Sequence, residues 1–82
     1  MDLRLFSTFL RVAELQNFTK AAEQLGYSQA TVTVQIHQLE QALGIQLFER
    51  IGKRVRMTEH GEQFIPYAIE ILKAEQNAKD FL

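Results

Sequence analysis

Residues 18–36 read Phe18-Thr19-Lys20-Ala21-Ala22-Glu23-Gln24-Leu25-Gly26-Tyr27-Ser28-Gln29-Ala30-Thr31-Val32-Thr33-Val34-Gln35-Ile36, and this stretch decides the fold. Ala21, Ala22 and Leu25 form the buried side of a short helix that Thr19 can cap, with Glu23 close to its first turn. Gly26 stops that helix, because glycine accepts the left-handed conformation a C-cap prefers. Ser28 is the next N-cap candidate. From Gln29 a further helix runs to about Leu43, with Val32, Ile36, Leu39 and Leu43 inward, and Gly44 ends it in the same way. Two helices joined by a short glycine-containing turn form a helix-turn-helix. The motif needs a small residue where the helices cross, a turn residue that tolerates positive φ, and apolar residues under the second helix. Ala22, Gly26, Val32 and Ile36 meet those needs, with Leu25 beside them. A helical hairpin in an ordinary bundle would use the same five residues, so the rest of the chain must arbitrate.

The outer face of the second helix favours nucleic acid. With Val32, Ile36 and Leu39 inward, Gln29, Ala30, Thr33, Val34 and His37 point outward, and Ser28, Gln29, Ala30 and Thr31 would enter a major groove first. Glutamine can bond adenine with two hydrogen bonds, threonine or alanine can touch a thymine methyl, and the Ser28 and Thr31 hydroxyls suit phosphates or bases. Any one of these residues alone would pass for a solvated helix surface. Their clustering at one helix start is the signal.

Downstream the period changes from helical to rough two-residue alternation. Gln46-Leu47-Phe48-Glu49-Arg50 and Arg54-Val55-Arg56-Met57 read as two short antiparallel strands, joined by a turn at Ile51-Gly52-Lys53. Arg50, Lys53 and Arg54 make that hairpin a basic wing able to follow phosphates or enter a minor groove.

At the two ends the pattern is helical again. Leu3, Phe6, Phe9, Leu10 and Ala13 share one face over residues 2–15, with Asp2 as cap, and Gln16-Asn17 breaks the pattern. Thr58 opens a long last helix with an acidic first turn. Phe64, Ala68 and Ile71 form one stripe on it, and Ile65, Ile69 and Leu72 form the next. One stripe can cover the domain, and the other would lie exposed in a monomer, which points to pairing with a second copy. Pro66 predicts a bend or a late helix start.

Composition bounds the alternatives. Apolar residues make up 46% and charged residues 23% of the 82, which fits one small folded domain rather than a disordered chain. With no cysteine, disulfides and thiolate zinc sites are excluded, and no metal or cofactor is expected. No apolar run is long enough to span a bilayer, and Asp2 and Arg4 do not resemble a signal sequence, so a cytoplasmic protein without a membrane partner is expected. Net charge is −1, low for a nucleic-acid binder, but it is unevenly spread. Residues 18–57 carry +2, whereas residues 58–82 carry −3. His37 and His60, with Glu40 and Glu59 near them, are spaced too far apart for a catalytic or metal set, so an enzyme is not expected.

The ordered runs Phe18-Thr19-Lys20-Ala21-Ala22-Glu23-Gln24-Leu25, Ser28-Gln29-Ala30-Thr31-Val32-Thr33, Gln35-Ile36, Leu39-Glu40, Leu43-Gly44, Leu47-Phe48-Glu49-Arg50 and Met57-Thr58-Glu59-His60-Gly61 resemble the N-terminal domain of LysR-type transcriptional regulators. The resemblance spans essentially the whole chain. It implies a mainly α winged helix-turn-helix over residues 1–57, with three helices and a two-stranded wing, followed by a linker and dimerisation helix over 58–82. It further implies double-stranded operator DNA as partner, and a homodimer through antiparallel pairing of the last helices. A tetramer would form in a full-length protein that carries the ligand-sensing domain absent here. By position Gln29, Thr31 and Thr33 match groove-facing residues, and Lys53 matches a basic wing-tip residue. Thr19, Lys20, Ser28, Ala30, His37, Arg50 and Arg54 complete the expected DNA-facing set. The chain departs from the pattern twice. Ala30 stands where the family often has proline, and Val34 where it often has an arginine that contacts DNA. The alternative reading of the same fold is a winged helix used for protein contact, with the low net charge as its best support.

Overall fold

The computed structural model describes residues 2–51 and 54–82. Helices α1 (Arg4–Leu15), α2 (Phe18–Leu25) and α3 (Gln29–Leu43) are followed by strands β1 (Phe48–Ile51) and β2 (Arg54–Met57) and by helix α4 (Glu59–Phe81). The strands pair antiparallel in the register Phe48↔Met57 to Ile51↔Arg54. This is the mainly α, winged helix-turn-helix architecture expected from the sequence.

Capping explains where the helices begin and end. Asn17 accepts the Lys20 amide at 2.9 Å, so α2 starts at Phe18, and Thr19 lies inside the helix rather than capping it. The consequence is large, because Phe18 becomes a buried core residue. Glu23 falls outside the first turn. Ser28 caps α3 through the Thr31 amide at 3.1 Å, and Thr58 caps α4 through the Gly61 amide at 2.9 Å. Gly26 and Gly44 end α2 and α3 at φ 74° and 71°, the left-handed region where a side chain is strained. At the N-terminus the Asp2 carboxylate accepts the Arg4 amide at 2.9 Å, and α1 begins just after it. The Arg4 guanidinium also bonds that carboxylate and holds it below the usual aspartate range.

The core is built from all four helices and the hairpin. On α1 the buried face is Leu5, Phe6, Thr8, Phe9 and Val12, while Leu3, Leu10 and Ala13 lie half-buried at its flank. The apolar stripe is therefore rotated from the one expected. The rotation brings Phe9 between Phe48 and Phe64, with ring centroids 5.6 and 5.3 Å away. Ala21 and Ala22 are buried on α2, where a larger side chain would overpack the core. Thr8, also buried, donates from Oγ1 to Gln35 Oε1 at 2.5 Å and ties α1 to the flank of α3.

The hairpin and the last helix also depart from expectation. Gln46 and Leu47 do not belong to β1. The Leu47 carbonyl accepts the Thr58 amide at 3.0 Å across the hairpin, but its own amide is taken by Glu40, so the pair is left incomplete and the strand begins at Phe48. Ile51, assigned to the turn, is instead the last residue of β1. Of the bend or late start expected at Pro66, the late start is not found, because α4 begins at Glu59 and runs through Pro66. Glu62 and Gln63, one turn before the proline, are exposed, so water can satisfy the carbonyl that Pro66 leaves without an amide.

Candidate nucleic-acid interface

Three side-chain links set the site, and each joins a different pair of elements. Arg50 on β1 donates from Nη2 to the Thr33 hydroxyl on α3 at 3.2 Å. The same guanidinium lies 4.5 Å from the Phe18 ring centroid at the start of α2, a cation–π contact. Thr19 donates to Gln29 Oε1 at 3.2 Å, which joins the first turns of α2 and α3. Together these contacts hold the hairpin and the start of α3 around one recess of about 370 Å³ lined by Asn17, Phe18, Thr19, Gln29, Arg50, Arg54 and Val55.

The hairpin is anchored from below as well as from the side. Glu40, on the inner flank of α3, accepts the Leu47 amide at 2.7 Å and the Phe48 amide at 3.3 Å. Those amides have no strand partner, so one carboxylate satisfies both and fixes the direction in which β1 leaves α3. Thr58 donates to the Gln46 carbonyl at 2.6 Å and closes the other end. Across the hairpin, Arg56 and Glu49 form an exposed ion pair at 3.2 Å, which neutralises one of its positive charges.

The expected DNA-facing residues fall into distinct surroundings. Gln29, Ala30, Thr31 and His37 are exposed on α3, and Thr33 is half-buried beneath Arg50. Ser28 and Thr31 are bonded to each other, hydroxyl to hydroxyl at 2.9 Å, in addition to the cap, so their first task is to order the helix start. Lys20 and Arg54 are exposed on α2 and β2, respectively. Lys53 and Gly52 lie outside the described residues. Asn17, Phe18 and Glu40 were not among the expected site residues, although each positions one. Among the described residues there is no group of three or more His, Asp or Glu side chains able to hold a metal ion.

The residues expected at a dimer surface are likewise divided. Ala68 is fully buried within the chain, and Phe64 packs on Phe6 and Phe9. Ile65, Ile71 and Leu72 are partly buried against the same core, and Ile69 is 47% exposed. No helix of the described residues is long and apolar enough to cross a membrane.

A model of bacterial regulatory helix-turn-helix proteins of the lysR family matches residues 3–62, from the first turn of α1 into α4. The chain belongs to the LysR family. That membership makes it a regulatory protein rather than an enzyme. This LysR-family chain is 42% identical to the HTH-type transcriptional regulator CitR of Bacillus subtilis, over 95% of its own length and 27% of that relative. It is 46% identical to YwqM of the same organism over 96% of its length, again 27% of the relative. The chain thus spans about a quarter of the curated relatives it matches. Among solved structures, the CbnR_DBD–DNA complex superposes with a TM-score of 0.92 at 35% identity, covering 98% of this chain and 92% of that one. The BenM_DBD/catB site 1 DNA complex gives 0.88 at 41% identity, covering 98% and 86%.

Proposed function

We propose that the chain is the DNA-reading domain of a LysR-type transcriptional regulator. In this reading α3 lies in the major groove of operator DNA, and the β1–β2 hairpin follows the adjacent phosphates or minor groove. The observation that carries the reading is the recess shared by Gln29 at the start of α3 with Arg50 and Arg54 of the hairpin. In this reading the Gln29 amide would meet a base edge while the two permanent cations meet the phosphates of the same stretch of duplex. The DNA complexes formed by the CbnR and BenM domains support the same assignment.

The chain carries net −1, yet residues 18–57 supply +2 and contain the groove-facing helix and the hairpin. Lys20, Lys53, Arg50 and Arg54 are the phosphate-side group in this reading, and Gln29, Thr33 and His37 the base-side group. Thr19, Ser28, Ala30 and Thr31 complete the contact surface. A homodimer forms through α4, with Ile65, Ile69 and Leu72 supplying the contact and Phe64 and Ile71 bordering it. Ala68, buried in its own protomer, offers a partner no surface. Two copies related by a two-fold axis would meet inverted half-sites in successive major grooves. In a longer protein further domains would assemble the dimers into a tetramer. The site of action is the bacterial cytoplasm.

A salt titration tests the reading. Several phosphate contacts predict that log Kd rises steeply and linearly with log salt concentration. No binding to duplex at low salt would return the fold to a protein-contact role.

A further inference from the structure

The outward face of α3 carries an apolar pair that stays exposed among the described residues. Val34 is 54% exposed, and Ala30, four residues earlier on the same face, is exposed as well. The stripe of Val32, Ile36 and Leu39 takes the opposite side of the helix into the core, so neither residue has packing to do. Their neighbours on the surface are Thr33, His37, Gln38 and Gln41, all polar. One valine and one alanine amid polar side chains make far too small a patch for a protein interface, which buries on the order of 1,000 Å² or more. The patch does match a single base edge.

Chemistry narrows what that edge can be. Valine neither donates nor accepts a hydrogen bond, so against a donor or acceptor edge it would leave that group dry and unpaired. The only apolar group that unmodified DNA presents in the major groove is the thymine C5-methyl. A β-branched side chain on a helix also holds essentially one χ1 rotamer, so Val34 loses little freedom on contact. We propose that Val34, flanked by Ala30, is a specificity-determining residue that selects thymine through its methyl group at the centre of the half-site. This rests on α3 being the groove-reading helix. Gln29, at the helix start, reads a different base through hydrogen bonds, so the two positions report separately.

The test begins with duplexes selected by the chain from a random pool. Each thymine of the selected site is then replaced in turn by uracil, which removes only the methyl. Affinities are measured for the wild-type chain and for Val34→Ala. Because Val34 is exposed, Val34→Ala is expected to melt at the wild-type temperature. At one thymine or more, uracil should weaken wild-type binding by about four-fold, the worth of one buried methyl, and leave Val34→Ala unaffected. Overturning the proposal requires that every uracil substitution affects both proteins equally while the selected duplex still outcompetes random duplex. If the selection enriches nothing, the groove assignment of α3 itself fails, and the role of Val34 falls with it.

Discussion

Arg50 Nη2 donates to the Thr33 hydroxyl at 3.2 Å and thereby joins the hairpin to the second turn of α3. The two residues lie seventeen positions apart in sequence. Arg50 also lies over Phe18, the buried first residue of α2, which Asn17 caps one position earlier. Orientation of the wing thus depends on a cap, an aromatic ring and a hydroxyl from three elements.

Arg50 is therefore expected to act as both cation and brace. Arg50→Lys keeps the charge but loses the planar fork, so it should weaken duplex binding without flattening the salt slope as far as Arg50→Ala does. A double-mutant cycle of Arg50→Ala with Thr33→Val should return a coupling of about 0.5–1.5 kcal/mol in the free protein. Additive effects on thermal stability would show the contact to be idle in solution.

Glu40 predicts a stability effect at a polar residue on α3. Glu40→Ala leaves the part-buried Leu47 and Phe48 amides without an acceptor, at a cost of roughly 1–3 kcal/mol. For a domain of this size each kcal/mol lowers Tm by about 4–8 °C. Glu40→Gln retains a carbonyl acceptor and should recover much of the loss. Calorimetry that finds Glu40→Ala as stable as wild type would show that water or another group takes over both amides.

Gly61 sets helix propensity against packing. In an open helix Gly→Ala stabilises by about 1 kcal/mol. A Cβ at Gly61 would instead lie far inside contact distance of the Leu47 carbonyl oxygen, a backbone atom that cannot swing away. Gly61→Ala should thus destabilise by about 1–3 kcal/mol, the usual cost of overpacking, whereas Gly26→Ala, with open space but φ 74°, should lose about 1–2 kcal/mol to backbone strain alone. Chemical denaturation midpoints below that of the wild type for both variants check these expectations.

The α4 surface gives an oligomer prediction. Ile69 is 47% exposed, so Ile69→Arg should leave the fold intact and shift sedimentation from dimer toward monomer. Affinity for an inverted-repeat duplex should drop to that for a single half-site. An unchanged dimer would move the contact elsewhere.

Much of this was legible in the sequence. Ser28, Gly26, Gly44 and Thr58 cap as their residue types suggest, and Val32, Ile36 and Leu39 go inward as their spacing requires. Where local chemistry allowed two answers, tertiary contacts decided. Asn17 and Thr19 are both capping types, and burial of Phe18 against Phe48 selects Asn17. Leu47 alternates correctly for a strand, but Glu40 takes its amide, which leaves the pair with Thr58 half made. Glu40 itself looks like a surface carboxylate on a helix, and only the path of the chain after Gly44 reveals its two amide partners. The buried face of α1 lies about one residue from the expected one, because Leu5 and Val12 are as apolar as Leu3 and Leu10 and helical spacing alone does not choose between them.

The most direct test of the central claim is an amide chemical-shift map of the chain titrated with selected duplex. If α3 and the hairpin form the reading surface, the largest changes will fall on residues 28–37 and 48–57, with little on Arg11, Gln24 or Tyr67. Changes concentrated on α1 and α4, with Gln29, Thr33 and Arg54 unmoved, would contradict it.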